Sequence, residues 1–246
     1  MDKLIYVAMT GAKETLAAQA ANNYNLANAS TVGFKADLSA FQSRGVTGPG
    51  YASRVYATTS SVGLDSTPGE QMATGNPLDV AVQGSGYIAV QDANGNEAYT
   101  RAGDLHVDPS GLLMTATGYQ VLGDDGPITV PPAASTTIGA DGSVTVVPMG
   151  QTPTSMARVG RIKLVNPPAS NIERGLDGLY RTRDGTQAPA DANTTLASGV
   201  LESSNVNIPA CLVNMIELAR QFELQVKSLH TAEEDSASSS KLLQSS

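Results

Sequence analysis

The chain has 246 residues, long enough for one or two domains with a substantial core. Its net charge is −8, only 15% of residues are charged, and Lys and Arg form no cluster, which excludes a protein that tracks nucleic-acid phosphates. One cysteine, Cys211, and two distant histidines, His106 and His230, exclude a disulfide framework, a thiolate metal site and a His-based metal centre.

The first element runs from Lys3 to Ala27 with helical periodicity. Ile5, Met9, Ala12, Leu16, Gln19, Asn23 and Leu26 follow the alternating spacing of four and three that makes a coiled-coil seam, apolar early and polar late. Four asparagines, Asn22, Asn23, Asn25 and Asn28, crowd the end of this pattern. Asn is a mediocre helix former because its amide competes for backbone groups, so a solvated helix has no reason to collect them. They are expected to act as hydrogen-bond partners between packed helices, with Asn23 and Asn28 among the packing residues. Ala17, Ala18, Ala20 and Ala21 would let helices approach closely from several sides. Gly33 offers a helix stop, since glycine readily takes the left-handed conformation.

The opening residues carry no basic region, long apolar run or small-residue cleavage site, and no stretch reaches the roughly 18 apolar residues of a membrane-spanning helix. On residues alone this reads as cytoplasmic, without direct membrane insertion.

Residues 35–75 show no period. Gly45, Gly48, Pro49, Gly50, Gly63 and Gly69 interrupt them, and an extended connector with some β character is expected. From Pro77 the period becomes two: Leu78, Val80 and Val82 alternate with Asp79 and Ala81, then Tyr87, Ala89 and Gln91 with Ile88 and Val90. Asn94-Gly95 signals a hairpin. Asp108-Pro109-Ser110-Gly111, Asp124-Asp125-Gly126, Asp141-Gly142 and Asp184-Gly185 are further turns. Val144–Val147 and Val159–Val165 read as strands. The middle of the chain is therefore an all-β domain.

At the far end Asn207 is a helix N-cap with Pro209 in the first turn. Leu212, Ile216, Ala219, Phe222, Val226 and Leu229 fall on one face, and Glu217, Arg220, Glu223 and Lys227 largely elsewhere. The Ser-rich stretch from Glu233 would be marginal as an isolated helix. Two narrow apolar seams far apart in sequence most simply bury each other. The fold class is α+β: terminal helices in a coiled-coil-like pair around an inserted all-β domain. The divisions are an N-terminal helix at 1–34, the connector at 35–75, the β domain at 76–200 and the C-terminal helix at 201–246.

No catalytic, cofactor-binding or metal constellation survives inspection. Gly84-x-Gly86-x-x-Ala89 copies a dinucleotide-binding pattern but leads into a strand where that motif needs a helix. Asp92-Ala93-Asn94-Gly95-Asn96 hints at a calcium loop, yet Glu97 stands where glycine is required. Ser238-x-x-Lys241 has the spacing of an acyl-transfer nucleophile but no second motif. His106 reads as a surface strand residue. His230 is placed near the end of the C-terminal helix, where a positive imidazole would suit the dipole. Cys211 is expected to be buried in the helix pair rather than reactive.

Residues 21–35, Ala-Asn-Asn-Tyr-Asn-Leu-Ala-Asn-Ala-Ser-Thr-Val-Gly-Phe-Lys, resemble the N-terminal signature of the flagellar rod and hook family. Asn76 to Tyr87, Tyr99 to Leu105, Gly118 to Gly123, Leu201 to Asn207 and Met215-Ile216-Glu217 resemble its later signatures, in the right order over nearly the whole chain. Met1-Asp2 followed by Ile5-Tyr6, together with Arg220-Gln221-Phe222-Glu223, looks like a proximal-rod member rather than a distal-rod or hook-type one. The resemblance implies a structural subunit of the rod, with the helices in an inner tube and the β domain outside. Its partners would be copies of itself, other rod proteins and the flagellar type III export apparatus, which would export it without a cleaved signal peptide. The alternative outside the family is a β-domain binding protein or hydrolase, which would need convergent polar groups that the sequence does not supply.

Overall fold

The computed structural model describes residues 3–45, 55–150 and 156–244. Connector residues Gly48, Pro49 and Gly50 lie outside the described residues. The protein is α+β and divides into two compact units: one of residues 1–29, 37–63 and 206–246, the other of residues 30–36 and 64–205.

The first unit is built on two helices, α1 (Lys3–Ala27) and α2 (Ile208–Gln244), with strands β1 (Asp37–Gly45) and β2 (Val55–Leu64). The segment read as a connector thus contains a strand pair. Asn207 caps α2, its Oδ1 accepting the Ala210 N–H at 3.0 Å. The helices run antiparallel, with Asn22 against Cys211 near one end and Gly11 against Gln225 further along.

The buried face of α1 is Ala8, Ala12, Thr15, Ala18, Asn22 and Asn25. On α2, Cys211 and Ala232 are buried, and Met215, Leu218, Phe222, Gln225 and Leu229 are half-buried between them at the same alternation of four and three. Small side chains on one helix meet larger ones on the other. A Cβ on Gly11 would lie 2.9 Å from the Gln225 side chain, which measures how close the backbones come.

Two sequence expectations need correcting. Helix α1 ends at Ala27, six residues before Gly33, so Gly33 does not stop it. Gly33 is left-handed (φ 68°) for another reason: a Cβ there would sit 2.3 Å from the Arg101 carbonyl carbon. His230 is not near a helix end, because α2 continues to Gln244. Its Nδ1 lies 3.6 Å from Glu233, and both side chains are exposed.

The second unit holds the remaining strands. In chain order they are β3 (Gln71–Ala73), β4 (Val80–Gln83), β5 (Tyr87–Gln91), β6 (Glu97–Thr100), β7 (Leu105–Val107), β8 (Leu113–Thr115), β9 (Gln120–Gly123) and β10 (Gly126–Pro127). Then come β11 (Ala133–Ile138), β12 (Ser143–Pro148), β13 (Ala157–Arg161), β14 (Leu164–Val165), β15 (Ile172–Arg174), β16 (Tyr180–Thr182), β17 (Thr195–Ser198) and β18 (Val200–Glu202). The main sheet has the order β15-β16-β6-β5-β9-β8-β7, with β10 beside β9 and β14 beside β5. Strands β11-β12-β13 form a second sheet, and β17 pairs with β4 and β18 with β3.

Strand β5 is buried on both faces. Ile88 and Val90 enter one core with Val80, Leu113, Val144, Ile162 and Leu196. Tyr87 and Ala89 enter a smaller one with Tyr99, Ile172 and Tyr180. Its alternation therefore marks two cores rather than a core and solvent. Gly84 and Gly86 lie in the turn between β4 and β5, and Gly84 has φ 82°. At Asn94-Gly95, Asp92 Oδ1 accepts the amides of Asn94 and Asn96 while Gly95 takes φ 85°.

Candidate functional site

In the first unit the asparagines divide by role. Asn22 donates Nδ2 to the Cys211 carbonyl at 2.9 Å. Asn25 donates Nδ2 to the Asp37 carbonyl at 3.0 Å and accepts the Asp37 N–H on Oδ1 at 2.9 Å. Its amide thus meets one residue's backbone as a neighbouring strand would, tying α1 to β1. A third tie joins α1 to β2: Glu14 Oε2 accepts the Thr59 N–H at 2.7 Å, and the bonds from Thr59 hold the Glu14 carboxyl below its usual range. Asn23 is exposed, and Asn28 is half-buried with Nδ2 bonded to the Tyr24 carbonyl of its own helix. Within the subunit, then, Asn22 and Asn25 bridge elements; the polar-to-apolar spacing gave no way to single them out.

The apolar residues of the proposed packing set separate in the same way. Ile5, Leu26, Ala219, Phe222, Val226 and Leu229 are half-buried. Met9 (52% exposed), Leu16 (49%), Leu212 (46%) and Ile216 (63%) face outward. At 3.6 residues per turn, Tyr6 falls on the side of α1 opposite Ala8, Ala12, Thr15 and Ala18, with Met9 and Leu16 exposed on the flank between. Ile208, Leu212, Val213, Ile216 and Leu224 lie similarly away from the buried face of α2. Among the described residues, each helix therefore carries exposed apolar side chains away from its buried face. Apolar residues grouped this way on an exposed helix face mark interaction sites.

Cys211 is 8% exposed and burial pushes its thiol pKa up, so it is a packing residue and not a nucleophile. His106 is exposed on β7. Among the described residues no cluster of three or more metal-ligating side chains occurs, and no helix is long and apolar enough to cross a membrane.

The second unit contains a constellation that sequence reasoning missed. Lys35, Arg101 and Glu202 are each at most 2% exposed. Lys35 Nζ lies 2.6 Å from Glu202 Oε1 and Arg101 Nη1 lies 2.7 Å from Glu202 Oε2. Lys35 also donates to the Thr67 carbonyl at 2.7 Å, and Gly69 donates its N–H to Glu202 Oε1 at 2.9 Å. Two cations share one carboxylate, so a positive charge is left over. The Thr67 and Gly84 carbonyls and the face of Tyr87, 5.3 Å from the guanidinium, take it up.

Burial alone would raise the Glu202 carboxyl. The Lys35 hydrogen bond, the Arg101 charge and the Gly69 amide outweigh it and hold the pKa below the usual range. Burial, with the nearby Arg101 charge, lowers that of Lys35. Around this triad the Gly33 N–H donates to the Glu202 carbonyl at 2.8 Å, and Asn205 bonds Ala36, Asp65 and Thr67. The arrangement fastens the first segment of the unit to its last. It offers no open substrate site and performs no chemistry.

Known proteins place these features in a family. Residues 81–146 match the family model described as "Flagellar hook protein FlgE/F/G D1 domain", and residues 197–242 match "Flagellar basal body rod FlgEFG protein C-terminal". The chain is 44% identical to the flagellar basal-body rod protein FlgF of Escherichia coli K12 and 43% identical to that of Salmonella typhimurium LT2, with 99% of each chain covered in both cases. Against the rod protein FlgG of Bacillus subtilis 168 it is 31% identical, over 85% of this chain and 87% of the other.

Proposed function

The chain belongs to the flagellar basal-body rod protein family, and from that membership we propose that it polymerises through the outward faces of α1 and α2 to carry torque along the rod. It is a structural subunit of the proximal-rod type and not an enzyme. The identities of 44% and 43% to the Escherichia coli and Salmonella FlgF proteins, against 31% to the Bacillus subtilis FlgG protein, favour this type over a distal-rod or hook-type member. Its neighbours in the assembly are copies of itself and other axial proteins. A coiled-coil-like arrangement of α1 and α2 belongs to this proposal, supported by the heptad spacing of the face around Phe222. So does export by the flagellar type III apparatus without a cleaved signal peptide.

The observation that carries the reading is the set of exposed apolar side chains on each helix. A monomer gains nothing by exposing Met9, Leu16 and Ile216, whereas an array of helices buries both sides of each member. A photo-crosslinking side chain at Met9 or Leu212, in motile cells, should join the chain to axial proteins within purified basal bodies. The same probe at Glu173, exposed in the β unit, should not reach helices of a neighbour. Crosslinks from Glu173 but none from either helix position would sink the proposal.

A further inference from the structure

Asp104 is an unexplained group in the β unit. Its Oδ1 is buried without a hydrogen-bond partner, and its residue pairs directly with Asp79 in an isolated antiparallel bridge. Like charges set opposite each other across a bridge repel. Asp79 is held in place: Oδ2 accepts from Thr74 Oγ1 at 2.6 Å and Oδ1 from Asn76 Nδ2 at 2.8 Å. Its backbone carbonyl accepts the Gly199 N–H at 2.8 Å, and the next residue, Val80, donates to Gly103 at 2.9 Å. The two backbones run close together here: a Cβ on Gly103 would be 1.7 Å from the Val80 carbonyl oxygen. Among the described residues, the titratable groups that act on Asp104 are Asp79, ahead of β4, and His106, on β7. The packed parts of β8 and β17 contribute none.

We propose that Asp79 and Asp104 form a proton-operated clasp at the start of β4, strained while both carboxylates are charged and closed when Asp104 takes up a proton. The reaction is a simple protonation. A solvent proton binds the Asp104 carboxylate and the repulsion with Asp79 disappears. The supporting shift runs the same way: burial first, then the Asp79 charge, raises the Asp104 carboxyl above its usual range. A carboxyl raised on folding binds more protons in the folded state. The clasp therefore strengthens as pH falls through the raised value and weakens as pH rises through it. Its natural readouts are the two amides it holds, Val80 and Gly199.

The test is amide hydrogen exchange on the full chain, wild type against Asp104→Asn, with protection corrected for the intrinsic pH dependence. At pH 7 the Asn variant should protect Val80 and Gly199 about 1.5- to 5-fold more than wild type, the range set by opposed like charges in a sheet. As pH falls through the raised Asp104 value the two proteins should converge. Equal protection at pH 7, or a difference that persists in acid, overturns the clasp. Should the variant fail to fold, the carboxyl carbon of Asp104 can be titrated by NMR in the wild type. A midpoint above the ordinary aspartate value of about 3.9 supports the clasp, and one at or below it overturns it.

Discussion

Glu202 is the residue on which the β unit most depends. Its removal strands two buried cations, Lys35 and Arg101, and breaking a buried ion pair from one side costs about 3–5 kcal/mol. Glu202→Gln should lower the denaturant midpoint of the β unit by a corresponding amount. The pH dependence has a definite sign. A carboxyl depressed on folding contributes stability that is present above its unfolded pKa, about 4.3, and is lost as pH falls through the lower folded value. Wild type should therefore lose β-unit stability below that point, and the Gln variant should lose less over the same range. Asp104 acts in the opposite direction, so an Asp104→Asn background should make the acid loss at Glu202 steeper. The asparagines give a second prediction. Asn25→Ala deprives the Asp37 amide and carbonyl of partners, at about 1–3 kcal/mol per unsatisfied group, and should destabilise the helix unit. Asn23→Ala removes an exposed poor helix former and should leave the isolated subunit unchanged or slightly more helical by circular dichroism.

At the scale of elements, the two sides of each helix predict different responses to one substitution. Ala12→Asp places a charge in the α1–α2 contact, costs several kcal/mol and should unfold the pair. Leu16→Asp and Ile216→Asp put the charge on the outer side and should leave helical content unchanged in dilute protein. Equal loss of helicity in all three would show that the outer side is not free in the subunit. The element scale also shows what the sequence could express. The hairpin turns were legible because Asn-Gly and Asp-Gly encode a local backbone geometry, and Gly95, Gly126, Gly142 and Gly185 all take positive φ. The buried side of α1 was only partly legible: Ala12, Ala18, Asn22 and Asn25 stood out, Ala8 and Thr15 did not. Its residues are alanines, a threonine and asparagines, which carry little hydrophobic signal, while the eye is drawn to Met9 and Leu16 on the flank. Of the seam residues, Met9 and Leu16 are exposed, while Ala12 lies in the buried face. The triad was invisible for a different reason. Glu202 stands 167 residues from Lys35 and 101 from Arg101, and charged residues at such separations are not paired by any local pattern. The signal available was that Gly33-Phe34-Lys35, Tyr99-Thr100-Arg101 and Leu201-Glu202 are three of the signature runs, and each supplies one member.

For the whole molecule, the triad defines what the β unit needs to stand alone. Residues 30–36 belong to it although a strand pair of the other unit follows them in sequence. A fragment of residues 30–205 should fold cooperatively, whereas one of residues 70–200 lacks both Lys35 and Glu202 and should melt well below it. Equal melting of the two would deny the triad its structural role. In the other unit, we propose, the outer sides of α1 and α2 are where one subunit meets the next. The most direct measurement is the amount of full-length Leu16→Asp or Ile216→Asp protein in basal bodies purified from cells that lack the wild-type chain. Both variants should be made with a folded β unit yet be absent from basal bodies, and the cells should not swim. Incorporation at the wild-type level, with normal motility, would contradict it.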